Sequence, residues 1–208
     1  VNGELSQDVG GRAHRDVTTP PATDAQLPPR GSVVLLTGIM AAGKSTVAQA
    51  LAERLPRAAH VRGDVFRRMV VSGRADYIPG ASAEAESQLR LRHRLSATTA
   101  DAYAAEGFTA VVQDVILGPH LSAYVDLVRT RPLYVVVLAP KPEEVARREA
   151  GRAKSGYGAG AELWDVARLD RGLREETPNI GLWLDSSALT VAETVEALLA
   201  GLASARVG

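Results

Sequence analysis

Two stretches of the chain are apolar without alternation: VVLLT at Val33–Thr37 and YVVVL at Tyr134–Leu138. Successive side chains of a strand point to opposite faces, so a short run that is apolar throughout suits a strand covered on both sides. AAHVR (Ala58–Arg62), TAVVQ (Thr109–Gln113) and IGLWL (Ile180–Leu184) are expected to accompany them. Between these runs the period changes. STVAQALAERL, a long segment from about Ser82 to Glu106, HLSAYVDLVRT, PEEVARREA and VAETVEALLAGL read as helices, with Gly107 and Pro132 punctuating helix ends. Strand and helix in alternation predict right-handed crossovers and a doubly wound parallel α/β sheet.

The first thirty residues break this pattern. They scatter Gly, Pro, Asp and Thr with no apolar period, and a disordered tail is expected over 1–30, with one domain over 31–208. Val1 fits an alternative start codon or an overextended reading frame, with the working protein beginning near Ser32. At 208 residues and 46% hydrophobic, the chain buries one sizeable core rather than two. Its 24 basic and 24 acidic residues cancel, so no global field draws it to a membrane or to nucleic acid, and any polyanion site must be local. Without cysteine there are no disulfides, thiolate metal sites or thiol nucleophiles. No run approaches the roughly 18 to 20 apolar residues of a membrane span, and a cytoplasmic protein is expected. Arginine supplies nearly all the positive charge; the lysines are Lys44, Lys141 and Lys154.

Lys44 lies in GIMAAGKST, directly after the first apolar run. Gly38, Gly43, Lys44 and Ser45 fit G-x-x-x-x-G-K-[ST], placed between a predicted strand and a predicted helix as that pattern requires. Glycines let the backbone wrap a phosphate with its N–H groups inward, and the helix N-terminus adds partial positive charge. The expected nucleotide site is therefore Gly38, Ala41, Ala42, Gly43, Lys44, Ser45 and Thr46, with Lys44 reaching the β- and γ-phosphates and the Ser45 hydroxyl offered to Mg²⁺. A chance glycine-rich turn would lack the flanking strand and helix.

The acceptor side is read from the other strand ends, because ligands of an open α/β sheet gather outside its carboxyl edge. Asp64, after the second strand, is aimed at that crevice, where a carboxylate can take the proton of an attacking hydroxyl. The alternative is that Asp64 N-caps a helix starting at Val65; both roles can coexist. Farther on, Arg148 and Arg152 would share a helix face if the helix runs that far, and the glycines that follow suit a basic lid near 147–160 that excludes water and closes on phosphate. Arginines beside Glu143, Glu144 and Glu149 could equally form a salt-bridged surface. The cluster Arg90, Arg92, His93 and Arg94 reads as a solvated helix face, with contact to an anionic acceptor as the alternative, Gln113 as a buried partner or spacer, and Trp164 and Trp183 as packing residues. No two of the four histidines have metal-ligand spacing.

The loop, RGDVFRR, VVQDVILG and the basic glycine-rich segment together resemble the P-loop small-molecule kinases, the group that includes chloramphenicol phosphotransferase, adenylylsulfate kinase and gluconate kinase. The resemblance covers about Ser32 to Leu202, and the chloramphenicol phosphotransferase-like branch matches the layout best. It implies a P-loop NTPase fold with a five-stranded parallel sheet in the order 2-3-1-4-5 and helices on both faces. It also implies ATP and Mg²⁺, a small-molecule hydroxyl acceptor, Asp64 as base, Lys44 and Ser45 as phosphate and Mg²⁺ ligands, and Arg148 and Arg152 as lid cations. With the third strand beside the first, Asp114 would stand near the phosphates and hold Mg²⁺ directly or through water; an ordinary strand-end aspartate is the alternative. Two positions depart from the pattern: Arg62 precedes Gly63-Asp64 where adenylylsulfate and gluconate kinases carry Asp, and Gln113 replaces one acid of the chloramphenicol-like pair. A polynucleotide 5′-kinase and a nucleotide-gated binding protein are the rival readings, the first opposed by the zero net charge.

Overall fold

A computed structural model describes residues 27–78, 80–151 and 165–208. The two continuous apolar runs become the middle of a sheet. β1 (Val33–Thr37) and β4 (Leu133–Leu138) are buried along their whole length and pair in parallel, Val33 with Leu133 through Thr37 with Val137. β3 (Thr109–Gln113) is equally buried on the other side of β1. β2 (Ala58–Arg62) and β5 (Leu182–Leu184) take the flanks and are only half-buried, which is why their sequences are less uniformly apolar. The order is β2-β3-β1-β4-β5, all parallel, as expected of the resemblance.

One strand was not expected. β6 (Arg206–Val207) runs antiparallel to the start of β4, while β5 pairs with the end of β4. Since β1 occupies the other edge of β4, β5 and β6 share the remaining edge in succession. Two residues are too few to leave a period in the sequence.

The helices are α1 (Lys44–Arg54), α2 (Gly63–Met69), α3 (Ala83–Ala105), α4 (Pro119–Leu127), α5 (Pro142–Ala150), α6 (Val166–Arg171), α7 (Val191–Ala200) and α8 (Leu202–Ala205), with a wider turn of π geometry at Gly172–Glu176 after α6. α3 lays Ala97, Ala100 and Ala104 against the sheet, three and four residues apart. Small residues there let a helix of 23 residues lie close to the strands. Its start is capped by Ser82, whose hydroxyl accepts from the Ala85 N–H, and Gly107 follows its end at φ 76°. Thr190 and Glu193 form a reciprocal capping box at α7. Among the described residues, no helix is long and apolar enough to cross a membrane.

The register decides what meets at the functional edge. Gln113 is level with Leu36 on one side and Arg62 on the other. The segments leaving β1, β2 and β3 therefore emerge side by side, bringing Gly38, Gly63 and Asp114 to one end of the sheet.

Candidate active site

The loop between β1 and α1 owes its shape to three residues in the left-handed region: Gly38 at φ 139°, Ala41 at 62° and Gly43 at 94°. Ala41 is the described non-glycine residue in that region, a conformation costing on the order of 1 to 3 kcal/mol and held only where surroundings impose it. A side chain at Gly38 would collide with the Leu138 carbonyl of β4. Alternating turns of this kind form a concave nest of backbone N–H groups. α1 opens the nest further: no side chain caps it and no acid lies in its first turn, so its positive end is left for an anion.

Lys44 is buried, and its ammonium donates to the Ile39 carbonyl at 2.7 Å, folding back over the loop. The Ser45 hydroxyl donates to the Gln113 amide oxygen at 3.1 Å. Gln113 is thus the buried partner it was expected to be. Ser45, Thr46, Gln49, His60 and Arg62 also line a shallow pocket of about 360 Å³ beside α1. There His60 Nδ1 meets Gln49 Oε1 at 2.8 Å, while burial and then the charge of Arg62 hold its pKa down.

Arg148, on α5, packs beside this loop rather than on a solvated surface. Its Nη1 reaches the Ala42 carbonyl at 3.4 Å, its Nη2 donates to the Ser186 carbonyl at 2.9 Å, and its Nε donates to Glu144 at 2.6 Å. Arg147, one residue earlier, takes the salt-bridged surface role with the same glutamate. α5 spans Pro142–Ala150, and Arg152, with Lys154, Trp164 and most of the expected lid, lies outside the described residues. Trp183 packs against the core.

The second strand end corrects one expectation. α2 begins at Gly63, not Val65, and no side chain caps it. Asp64 instead sits in the first turn, 42% exposed, with Arg68 at 3.1 Å and Arg62 at 4.0 Å.

Asp114 is the most enclosed acid of the site, its side chain 1% exposed. Arg92 grips it side-on: Nε donates to Oδ2 at 2.7 Å and Nη2 pairs with Oδ1, which also accepts the Val115 N–H at 2.7 Å. On the remaining side lies the backbone of Gly63, so close that a methyl group there would fall inside the carboxylate. The cluster Arg90 to Arg94 is accordingly not a uniform solvated face. Arg92 turns inward to Asp114, and His93 is buried edge-on against Tyr124 and His120, with Tyr77 beyond. Burial, then the charges of Arg92 and His120, push the His93 pKa down to about 3, so the ring is neutral.

Arg92 was the residue the sequence concealed. Within RLRHR it carries no signal that separates it from its exposed neighbours, and its partner lies 22 residues away. Arg174 was missed likewise: it pairs with buried Asp170 at 2.9 Å and approaches the Ala139 and Pro140 carbonyls after β4.

A strand–nest–helix phosphate loop on a 2-3-1-4-5 parallel sheet defines the P-loop NTPase class, and the family comparison agrees. The chain belongs to the AAA domain family AAA_33, of P-loop kinase type, whose model matches residues 33–175. No curated protein matches it in sequence. Among solved structures it is similar to a sugar kinase from Janibacter sp. HTCC2649, at 20% identity over 86% of this chain and 96% of that one, TM-score 0.61. The APS kinase of Mycobacterium tuberculosis, solved with AMPPNP and APS, matches at 19% identity over 85% and 100%, TM-score 0.60. The tunicamycin resistance protein of Deinococcus radiodurans matches at 16% identity over 86% and 99%, TM-score 0.59. At these identities the likeness is one of fold.

Proposed function

We propose that the protein is an ATP-dependent phosphotransferase that moves the γ-phosphate to a hydroxyl of a small molecule. The observation that carries this reading is that a phosphate nest ending in Lys44, after β1, and an exposed carboxylate, Asp64, after β2, leave the same end of the sheet with only β3 between their strands. Family membership and the folds of the sugar and APS kinases support it.

In this reading the nest and Lys44 hold the β- and γ-phosphates, Lys44 exchanging the Ile39 carbonyl for phosphate oxygen. The fit to Mg²⁺ is judged by the donors: Ser45 Oγ and Gln113 Oε1 stand together as two oxygens, the ligand type a hard cation takes. Ser45 would hold the ion. Asp114, whose oxygens are engaged by Arg92, would serve it through water. Mg²⁺ supplies charge neutralisation on the phosphates when bound. Asp64 orients the acceptor hydroxyl and takes its proton as the oxygen bonds to the γ-phosphorus and ADP leaves. Arg148, at the loop carbonyl of Ala42, adds positive charge to the transferring group, and Arg152 is proposed to join it on closure.

The experiment is an ATP-consumption screen over alcohols, sugars, nucleosides and antibiotics, with mass spectrometry for a phosphate added to product. Asp64→Asn then separates a kinase from a nucleotide binder. With its carboxylate 42% exposed and capping nothing, the variant folds and binds ATP–Mg²⁺, but transfer falls about 100- to 10,000-fold. Full transfer in Asp64→Asn would remove Asp64 from the mechanism.

A further inference from the structure

We infer that the chain pairs with a second copy of itself along the outer face of α3, the two helices lying antiparallel about a two-fold axis at Thr98. Nothing in this pairing depends on the phosphotransferase reading.

α3 runs for 23 residues, and His93, Ala97, Ala100 and Ala104 form its buried face. On the opposite face Leu91, Leu95, Thr98, Ala102 and Ala105 are all exposed, the two leucines by 40% and 41%. They are spaced alternately four and three residues apart, the repeat of about 3.5 residues that forms a seam between two helices. None of them is charged, whereas a helix face turned only to water is rich in charge.

The order of sizes along the seam selects the partner. Leucines fill its first half and alanines its second. Turned end for end about Thr98, a second copy sets Ala105 against Leu91 and Ala102 against Leu95, with Thr98 facing its own twin on the axis. Large meets small at each level, which suits the interaxial distance of about 8 to 10 Å at which helices pack. A parallel pair would instead stack leucine on leucine and leave a gap between alanines.

Charge agrees with the same register. At about 100° per residue, Arg94 and Asp101 lie on one side of the seam, and an antiparallel two-fold brings that side of each copy against the same side of the other. Arg94 of each copy then comes level with Asp101 of the other. Arg94 is exposed and makes no hydrogen bond or ion pair among the described residues. Asp101 is already held in place by the N–H groups of Arg129 and Thr130. On the other side of the seam lies the segment after α2, tied to Gln88, whose amide accepts the Ala75 N–H and donates to the Gly73 carbonyl. Met69 and Val71, 65% and 95% exposed, accompany it along the first half of α3, and Tyr103, 43% exposed, stands on the second half. The two-fold joins first half to second, so these exposed apolar groups cover one another as well.

The chain has no cysteine, so single cysteines report the register. Thr98→Cys is expected to form an inter-chain disulfide with oxidised glutathione. Ala102→Cys alone, displaced about 12 Å along the helix from its twin, is not, but mixed with Leu95→Cys it is expected to give the crosslinked pair. Sedimentation of the full chain across concentration is expected to show a monomer–dimer equilibrium. Leu95→Glu, which places two carboxylates in the seam, raises its dissociation constant by about 100-fold. Arg94→Glu, which sets like charges level, raises it by about tenfold. Both positions are exposed, and unchanged urea midpoints of the monomers confirm that the variants fold. A chain that sediments as a monomer at every concentration, Ala102→Cys alone crosslinking as readily as Thr98→Cys, or a dimer indifferent to both glutamates would each overturn the inference.

Discussion

Gly63 is the position where local propensity and tertiary contact predict opposite signs. It occupies the first turn of a helix, and its φ is not in the left-handed region. By propensity alone, Gly63→Ala should stabilise the protein by about 0.5 to 1 kcal/mol. The added methyl, however, would overlap the Asp114 carboxylate and stand 3.0 Å from Asp114 Cβ. Asp114 has no free rotamer to escape into, since Arg92 holds both oxygens and the Val115 N–H holds one. Overpacking of this kind costs about 1 to 3 kcal/mol, and loosening one charged hydrogen bond adds about 1.5 to 3. Against the propensity gain, a net loss of about 1.5 to 5.5 kcal/mol is expected. Urea unfolding reads it directly: with m near 2 kcal/mol/M for a protein of modest size, the midpoint falls by about 1 to 3 M. A double-mutant cycle assigns the cause. In an Asp114→Ala background the methyl meets no carboxylate, and Gly63→Ala should become neutral or stabilising, a coupling of about 2 kcal/mol or more. A Gly63→Ala protein as stable as wild type, or one losing the same amount in both backgrounds, would refute the reasoning.

Three further outcomes are expected. Lys44→Ala abolishes transfer and sharply weakens nucleotide binding, checked by titrating an ATP analogue; wild-type affinity would remove Lys44 from the phosphate site. Arg148→Ala lowers kcat more than it weakens ATP binding, because its contacts to the Ala42 and Ser186 carbonyls set it beside the loop rather than in it; equal or no effects on both would return Arg148 to a structural role. Stability falls on acidification, because the pKa of His93 is about 3 folded and near 6.5 unfolded, so the unfolded chain takes up the proton first. Between those values each pH unit costs up to about 1.4 kcal/mol, fully absent above pH 6.5, and His93→Phe should flatten the slope between pH 6.5 and 4 in thermal unfolding measured across pH.

What could be read in advance, and what could not, divides along the range of the interactions. β1, β3 and β4 were legible because burial on both faces demands an apolar residue at every position, a requirement each residue meets alone. The phosphate loop was legible for the same reason: φ values of 139° and 94° call for glycine at Gly38 and Gly43, and one anion calls for Lys44, all within one short segment. α6 and the turn after it were not, since VARLDRGLREE is dominated by charge and its inward residues, Leu169, Asp170 and Leu173, show themselves only against their partners.

The edge around Asp114 belongs wholly to the second kind. Asp114 was visible as an acid at a strand end, a composition that suits a metal ligand, a cap or an arginine partner equally well. Its environment is settled by Arg92, one of three arginines on α3, and by the absence of a side chain at Gly63. Neither leaves a trace at Asp114 itself. The same holds for the ion pairs around it: Arg62 and Arg68 with Asp64, Arg67 and Arg74 with Asp76, and Arg92 with Asp114 lie in a stretch whose seven arginines balance seven acids, and which cation takes which acid is decided only once β2, α2, α3 and β3 come together. Nucleotide chemistry is written by a local backbone and can be read from one segment. The edge around Asp114 is written by pairs of side chains from four segments, with Arg92 and Asp114 at their centre, and no single segment carries it.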